Sequence, residues 1–257
     1  MKQIITITLL FFSTSGYAFK CVDDIPHCRV LAKNGDNDAQ YQLAVEYATG
    51  KHLKKDTEKA LTLLQRPADQ GKVEAQFDLA YFYYDRGLRA DKTQKLALSR
   101  HINTSGGNKP SLDGLNSIQE KTFGRNEDFD TAVKWLKKSI KKQHARSQNL
   151  LAFLYLSGRG VKKNPKKAFD LYQKAANQNL ATSQYNLGVM YADGFGAIKD
   201  SKLAYIWFSI AQKNGYDKKN KVLKEINMSL KNLSAKQKSD AEKDIQELIE
   251  KFKSKSS

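Results

Sequence analysis

Leucine recurs every 36 residues through the middle of this chain: Leu43, Leu79, Leu115, Leu151 and Leu187 fall on one register without a miss. Three more registers keep the same step. One holds Tyr47, Tyr83, Tyr155 and Tyr191, interrupted by Gln119; another holds Ala60, Ala132, Ala168 and Ala204, with Leu96 between them. The last holds Leu63, Trp135, Leu171 and Trp207, interrupted by Ser99. A fixed period of this size marks an array in which each unit is one supersecondary element. Five units of 36 residues span 37–216.

Inside a unit the apolar residues fall three and four apart, twice, with a turn between. In the fourth unit Leu151, Leu154 and Tyr155 form the first stripe, 157–160 the turn, and Ala168, Leu171, Tyr172, Ala175 and Ala176 the second. That spacing predicts a helix-turn-helix hairpin. Gly50, Gly158 and Gly194 stand where the first helix must end in a left-handed residue, a conformation that costs least without a Cβ. Pro165 and the acids Asp56, Asp128 and Asp200 suit the start of the second helix. The alanine register lets paired helices approach closely. A lone hairpin cannot bury its own apolar face, so the expected fold is all-α, a right-handed α-solenoid of about five stacked hairpins. With only 4 Pro and 15 Gly in 257 residues, an all-β sandwich is excluded.

These residues resemble the Sel-one-like repeat, a relative of the tetratricopeptide repeat. Residues 181–216 carry the pattern best, with Leu187, Gly188, Tyr191, Gly194, Gly196, Asp200, Ala204, Trp207, Phe208, Ala211 and Gly215 in place. The fourth unit follows closely through Leu151, Tyr155, Gly158, Gly160, Val161, Lys167 and Ala168. The resemblance implies a protein-binding scaffold and names no activity.

Two units depart from the pattern. The second keeps a first helix over 75–84, but its second half, 92–107, has Ser99 and Arg100 where the family has aromatic or aliphatic residues. The third carries Gly114 inside its first helix, about 111–122, and Gln119 in place of tyrosine. Each change costs about 1 kcal/mol or more in helix propensity or lost burial. The stretch 86–126 is therefore expected to be the least ordered, either a decayed repeat or a loop shaped for a partner.

Both ends read as caps. Residues 19–36 form the N-terminal one, where Ala32 and Gly35 lie one period before Ala68 and Gly71. After Tyr216 the period stops, and 217–257 is expected to hold two capping helices. Val222, Leu223 and Ile226 share one side of the first, and Ser234 with Gln237 form a capping box before the second, which runs to about Phe252.

Residues 1–18 have a positive start, an apolar run from Ile4 to Phe12 and small residues at Gly16 and Ala18, the pattern of a cleaved export signal leaving Phe19 first. The run is well short of the roughly 20 residues that span a bilayer. Cys21 and Cys28, the two cysteines, are expected to form a disulfide in an oxidising compartment. Closing that loop contributes roughly 2.5 kcal/mol on the loop-entropy model. Their spacing fits no zinc motif.

Motifs for catalysis, phosphate binding or metal ligation are lacking. No HExxH, Gly-x-Ser-x-Gly or phosphate-binding glycine loop occurs, and His27, His52, His101 and His144 are scattered over different units. Catalytic, cofactor and metal residues are accordingly expected to be none.

Charge is the informative functional feature. The chain has 44 Lys and Arg against 27 Asp and Glu, a formal net charge of +17. From Thr131 to Phe169 there is no acid, while Lys134, Lys137, Lys138, Lys141, Lys142, Arg146, Arg159, Lys162, Lys163, Lys166 and Lys167 are all basic. Such a cluster acts locally, within a screening length of about 8 Å at physiological salt. It is either a solubilising face or a docking patch for an acidic protein. Anionic headgroups would attract it at roughly 1 kcal/mol per well-placed lysine. Nucleic acid is not the expected partner, because that reading would need interleaved exposed aromatics and a cytosolic address, and the export signal points elsewhere.

The resemblance implies that partners dock on the concave surface lined by first helices. There the residues that vary between units are the candidates: Gln42, Asp78, Tyr81, Asp85, Leu150, Phe153, Asn186 and Asp193, with Thr49 beside them. The chain is thus expected to be a monomeric, periplasmic or secreted scaffold of the bacterial envelope, an immunity or adaptor protein. The alternatives are an envelope hydrolase akin to cysteine-rich β-lactam-binding repeat proteins, which carry a cysteine pair in each unit, and a secreted host-interaction factor.

Overall fold

The computed structural model of the protein describes residues 21, 23–104, 126–216 and 221–254, without the side chains of 94–104. The export signal, Leu115 and the first helix expected over 111–122 lie outside the described residues. All regular structure among the described residues is helical. The chain divides into two compact units at Leu79.

The first unit holds α1 (Ile25–Lys33), α2 (Asn37–Thr49), α3 (Thr57–Asp69) and the start of α4 (Val73–Thr104). Asp24, Asp36 and Asp56 cap their helices by accepting from backbone N–H groups of the first turn. A disulfide joins Cys21 to Cys28, and both cysteines are buried with Ala32, Ala39 and Leu43.

The second unit continues with α5 (Glu127–Ser139), a 3₁₀ turn (Ile140–Lys142), α6 (Ala145–Ser157), α7 (Pro165–Ala176), α8 (Ala181–Asp193), α9 (Ser201–Lys213), α10 (Lys221–Lys231) and α11 (Ala235–Ser254). Asn126, Asn164 and Asp200 cap α5, α7 and α9. Asp128, expected at a helix start, lies instead within the first turn of α5, because Asn126 begins that helix earlier.

The periodic residues do what their spacing implies. Leu43, Leu79, Leu151 and Leu187 are at most 4% exposed, and Ala60, Ala132, Ala168 and Ala204 are fully buried. Gly50, Gly158 and Gly194 end α2, α6 and α8 at φ 72°, 73° and 72°. Each turn is closed by one bond, from the N–H of Asp56, Asn164 or Asp200 to the carbonyl of Tyr47, Tyr155 or Tyr191. A second left-handed series follows the second helices at Gly35, Gly71, Gln143, Asn179 and Gly215, again on the 36-residue step.

The second unit of the array departs from the expected hairpin. No turn follows Tyr84; α4 runs on to Thr104. The position that holds Gly50, Gly158 and Gly194 in other units holds Arg86, so no residue stops the helix cheaply in the left-handed region, and each added residue gains a backbone bond. The start of α5 then packs against α4. Arg86 pairs with Asp128 at 2.6 Å, Asn126 Nδ2 donates to the Gly87 carbonyl at 3.1 Å, and a Cβ on Gly87 would lie 2.9 Å from the Phe129 ring. Elsewhere the same turn brings Gly50 to Lys55 and Gly194 to Lys199. Tyr84 also meets Phe153 of α6 edge-on at 6.1 Å, and Arg159 pairs with Asp91 at 3.3 Å. Thus α4 and α5, the first helix of one sequence unit and the second helix of the next, form one composite hairpin. Of the stretch 86–126, residues 86–104 continue α4, and 105–125 lie outside the described residues.

A hydrogen-bonding register escaped the sequence reading. Gln40, Gln76 and Gln184 occupy one position of the 36-residue register in the first, second and fifth units, and each Nε2 donates to the last turn of the preceding helix, at the carbonyl of Ala32, Ala68 or Ala176 (2.8, 2.9 and 3.3 Å). Gln148, on the same register, accepts from Gln178 instead.

At the C-terminal end, α10 and α11 cover the outer face of α9. Val222, Ile226, Leu233, Ala241, Ile245 and Phe252 join Trp207, Phe208 and Ile210 in one core. Leu223, expected on the inner side with Val222, is 46% exposed, because the buried stripe of α10 runs through Val222, Ile226 and Ser229. Ser234 and Gln237 form the reciprocal capping box, at 2.9 and 3.2 Å. The Tyr205 hydroxyl donates to Glu242, and burial and that partner push its pKa up to about 12. Lys202 pairs with Asp244 at 2.7 Å.

Trp207→Ala is expected to lose about 3–5 kcal/mol through the emptied core, and an unchanged urea midpoint would contradict the packing described. Gln184→Leu removes the hydrogen bonds that buried Gln184 makes to the Ala176 carbonyl, Asn179 and Asn214 and is expected to cost about 1–3 kcal/mol. Thermal unfolding monitored by circular dichroism reads that cost.

Candidate functional site

The basic cluster is built by helix geometry. On α5 the residues Phe129, Ala132, Val133, Trp135, Leu136 and Ser139 turn inward, which leaves Lys134, Lys137 and Lys138 on the outer face. The 3₁₀ turn and the start of α6 add exposed Lys141, Lys142 and Arg146. Lys162, Lys163, Lys166 and Lys167 are exposed around the turn into α7. Close backbone packing joins the two groups: a Cβ on Gly160 would lie 2.5 Å from the Phe129 carbonyl oxygen. Aromatic faces hold several of the cations. Lys138 Nζ sits 3.8 Å from the Trp135 ring centroid, Lys163 Nζ 5.5 Å from Phe195 and Lys167 Nζ 5.6 Å from Tyr155. Arg159 differs from the rest: only 29% exposed, it pairs with Asp91 and lies over Phe129, so it serves packing.

The residues picked for a concave surface have diverse environments. In the first unit the Gln42 Oε1 accepts from the Cys21 N–H at 2.7 Å, which ties down the segment before α1. Asp78 is 7% exposed and accepts from the Tyr41 hydroxyl at 3.1 Å, and the Thr49 hydroxyl donates to the Val45 carbonyl. In the second unit Asp85 pairs with Arg89, and Tyr81 packs against Tyr84. Leu150 is 8% exposed. Asp78 and Leu150 therefore sit inside the packing, because neighbouring first helices touch along those positions. Phe153, 37% exposed, and Asp193 remain on the surface, and Asn186 donates to Asn149 at 3.3 Å.

Asn186 and Asp193 share a cavity of about 220 Å³ with Leu156, Tyr172, Val189, Met190 and Phe195. Its lining is mostly apolar. Burial raises the pKa of Tyr172 well above the ordinary phenol value, so its hydroxyl stays protonated at any physiological pH. Burial also raises Tyr81, Tyr84 and Tyr191. Among the residues lining this cavity no nucleophile lies beside a base. Among the described residues no group of three or more His, Cys, Asp or Glu is placed to hold a metal. His52 pairs with Glu46 at 2.7 Å, and His144 Nδ1 is 2.8 Å from the Ser147 hydroxyl.

The sequence matches the Sel1 repeat at residues 37–72, 73–98, 123–144, 145–180 and 181–216. The chain belongs to the Sel1 repeat family. The two shortened matches are those whose helices share the composite hairpin, and the residues between them match no repeat. The five-unit register read from the sequence therefore holds, while the described residues form four hairpins of it, α2–α3, α4–α5, α6–α7 and α8–α9. The chain is similar to the Sel1-repeat-containing protein YjcO of Escherichia coli K12, 26% identical over 226 residues that cover 84% of this chain and 95% of that one. It also resembles chitin synthase regulatory factor 3 of Schizosaccharomyces pombe, 25% identical over 252 residues. That match covers 80% of this chain and only 27% of the yeast protein's length. A Sel1 repeat protein of Oxalobacter formigenes shares the fold, at a TM-score of 0.57, 20% identity and coverage of 88% of this chain and 76% of that one. The fold is an α-solenoid of Sel1 repeats, and such repeats are protein-interaction scaffolds. Among the described residues no helix is long and apolar enough to cross a membrane.

Proposed function

We propose that this chain is an exported scaffold of the bacterial envelope that captures an acidic protein, as an adaptor or an immunity protein. The observation that carries this reading is the acid-free stretch from Thr131 to Phe169, whose lysines are exposed on α5, on the 3₁₀ turn and around the start of α7. Phosphate or metal chemistry would need ligands that converge; these lysines radiate from convex helix faces and suit an extended protein surface. Such a charge pattern steers a partner and speeds its encounter more than it sets final affinity. The signal-like residues 1–18 and the Cys21–Cys28 disulfide support an oxidising compartment. The hydrolase alternative finds no support in the cysteines, since both lie before the first repeat and none lies within one.

Reversing three exposed charges with Lys137→Glu, Lys138→Glu and Lys141→Glu is expected to leave the melting temperature within about 2 °C, since surface changes stay near ±0.5 kcal/mol. The same variant is expected to lose the acidic envelope proteins that the parent chain crosslinks in the periplasmic fraction. Equal recovery, read by mass spectrometry, would reduce the cluster to a solubilising face.

A further inference from the structure

The cavity among α6, α7 and α8 and the lysines around the turn into α7 belong to different elements, yet one side chain bridges them. Phe195 lines the cavity and is 42% exposed, and the Lys163 ammonium lies over its ring at 5.5 Å. Gly194 and Gly196, both left-handed, set the turn that presents Phe195. A Cβ on Gly196 would collide with the Pro165 carbonyl, so this turn is clamped on the first residue of α7. The backbone that presents Phe195 is thus fixed by packing before any ligand arrives, which lowers the ordering cost of binding.

About 220 Å³ falls below the roughly 300–1,000 Å³ of small-molecule sites and suits a single side chain. Leu156, Val189 and Phe195 supply apolar walls, and Met190 supplies a flexible one that adapts to different aliphatic shapes. The polar groups are few and sorted by sign. Asn186 and Asp193 lie on the α8 side, where their oxygens suit the N–H groups of a bound backbone. Lys162, Lys163 and Lys166 lie on the α7 side, exposed.

We propose that this cavity is an anchor pocket for one Leu-, Met- or Phe-sized side chain of an acidic peptide segment, with Lys163 binding a carboxylate next to the anchor. The proposal rests on the reading of the chain as a scaffold for an acidic protein and adds the place and sequence chemistry of its grip. Asp193, the one acid among the lining residues, disfavours a carboxylate on its side, so the flanking acid is expected to lie toward Lys163.

The test is selection of a random 12-residue phage-displayed peptide library on the full chain, followed by fluorescence anisotropy with the enriched peptides. The expected consensus is an aliphatic or aromatic residue with Asp or Glu within two positions. Affinity is expected to fall at least tenfold in Val189→Trp, which fills the pocket from its half-buried rim, and about fivefold or more in Lys163→Glu. Circular dichroism verifies folding of both, and Leu156→Gln replaces Val189→Trp should that variant unfold. Enriched peptides that lack the apolar–acidic pairing, or that bind both variants as tightly as the parent, would overturn the pocket. If those peptides are still lost on reversing Lys137, Lys138 and Lys141, the acidic-partner reading survives alone. A library that yields no enriched peptide overturns the pocket as well.

Discussion

A hairpin of two amphipathic helices hides one apolar stripe on each helix and leaves the flanks of the pair exposed until another hairpin covers them. Everything in this chain depends on how closely those helices approach. Ala60, Ala132, Ala168 and Ala204 have no exposed surface, and Gly188 faces Phe208 so closely that an added Cβ would lie 2.7 Å from the ring. Small residues at the crossing points leave room for Leu64, Leu136, Tyr172 and Phe208, all nearly or fully buried. The glutamines of this register add direction to this non-directional packing, because the amides of Gln40, Gln76 and Gln184 each reach one carbonyl of the preceding helix.

The array ends where the supply of apolar faces must end. On the C-terminal side α9 buries Tyr205, Ile206, Trp207, Phe208 and Ile210, more than one neighbouring stripe can cover, and α10 and α11 complete the cover. Their outer faces are rich in lysine and glutamate, which discourages end-to-end association. On the N-terminal side α1 stands in for a second helix, and the disulfide holds the residues before it against Gln42 and Ala39.

Function is carried by what the packing does not consume. Helical periodicity commits Phe129, Trp135 and Leu136 to the core and leaves the lysines between them outside, so a dense positive charge and a stable helix are compatible on α5. The same logic explains why Asp78 and Leu150 lie in the interior although they vary from unit to unit. Variation shows that packing does not require one residue type at a position. It does not show that the position faces solvent.

Much of this was legible in the linear chain. Period, hairpin turns, buried leucines and alanines, the left-handed glycines, the Ser234–Gln237 cap and the Cys21–Cys28 pair all follow from local rules that act over a few residues or one repeat. The glutamine register was equally visible at its 36-residue step and was missed because polar residues are not scored as core. Only the tertiary structure decided the rest. Without a glycine at Arg86 α4 runs past Tyr84, where the sequence reading ended it, and that α5 then closes on α4 depends on long-range contacts such as Arg86–Asp128 and Tyr84–Phe129. A cavity is likewise a property of several elements at once. Leu156, Tyr172, Val189 and Phe195 are ordinary apolar residues in sequence, and only their convergence in the folded chain makes them the wall of one cavity, with Lys163 over the Phe195 ring.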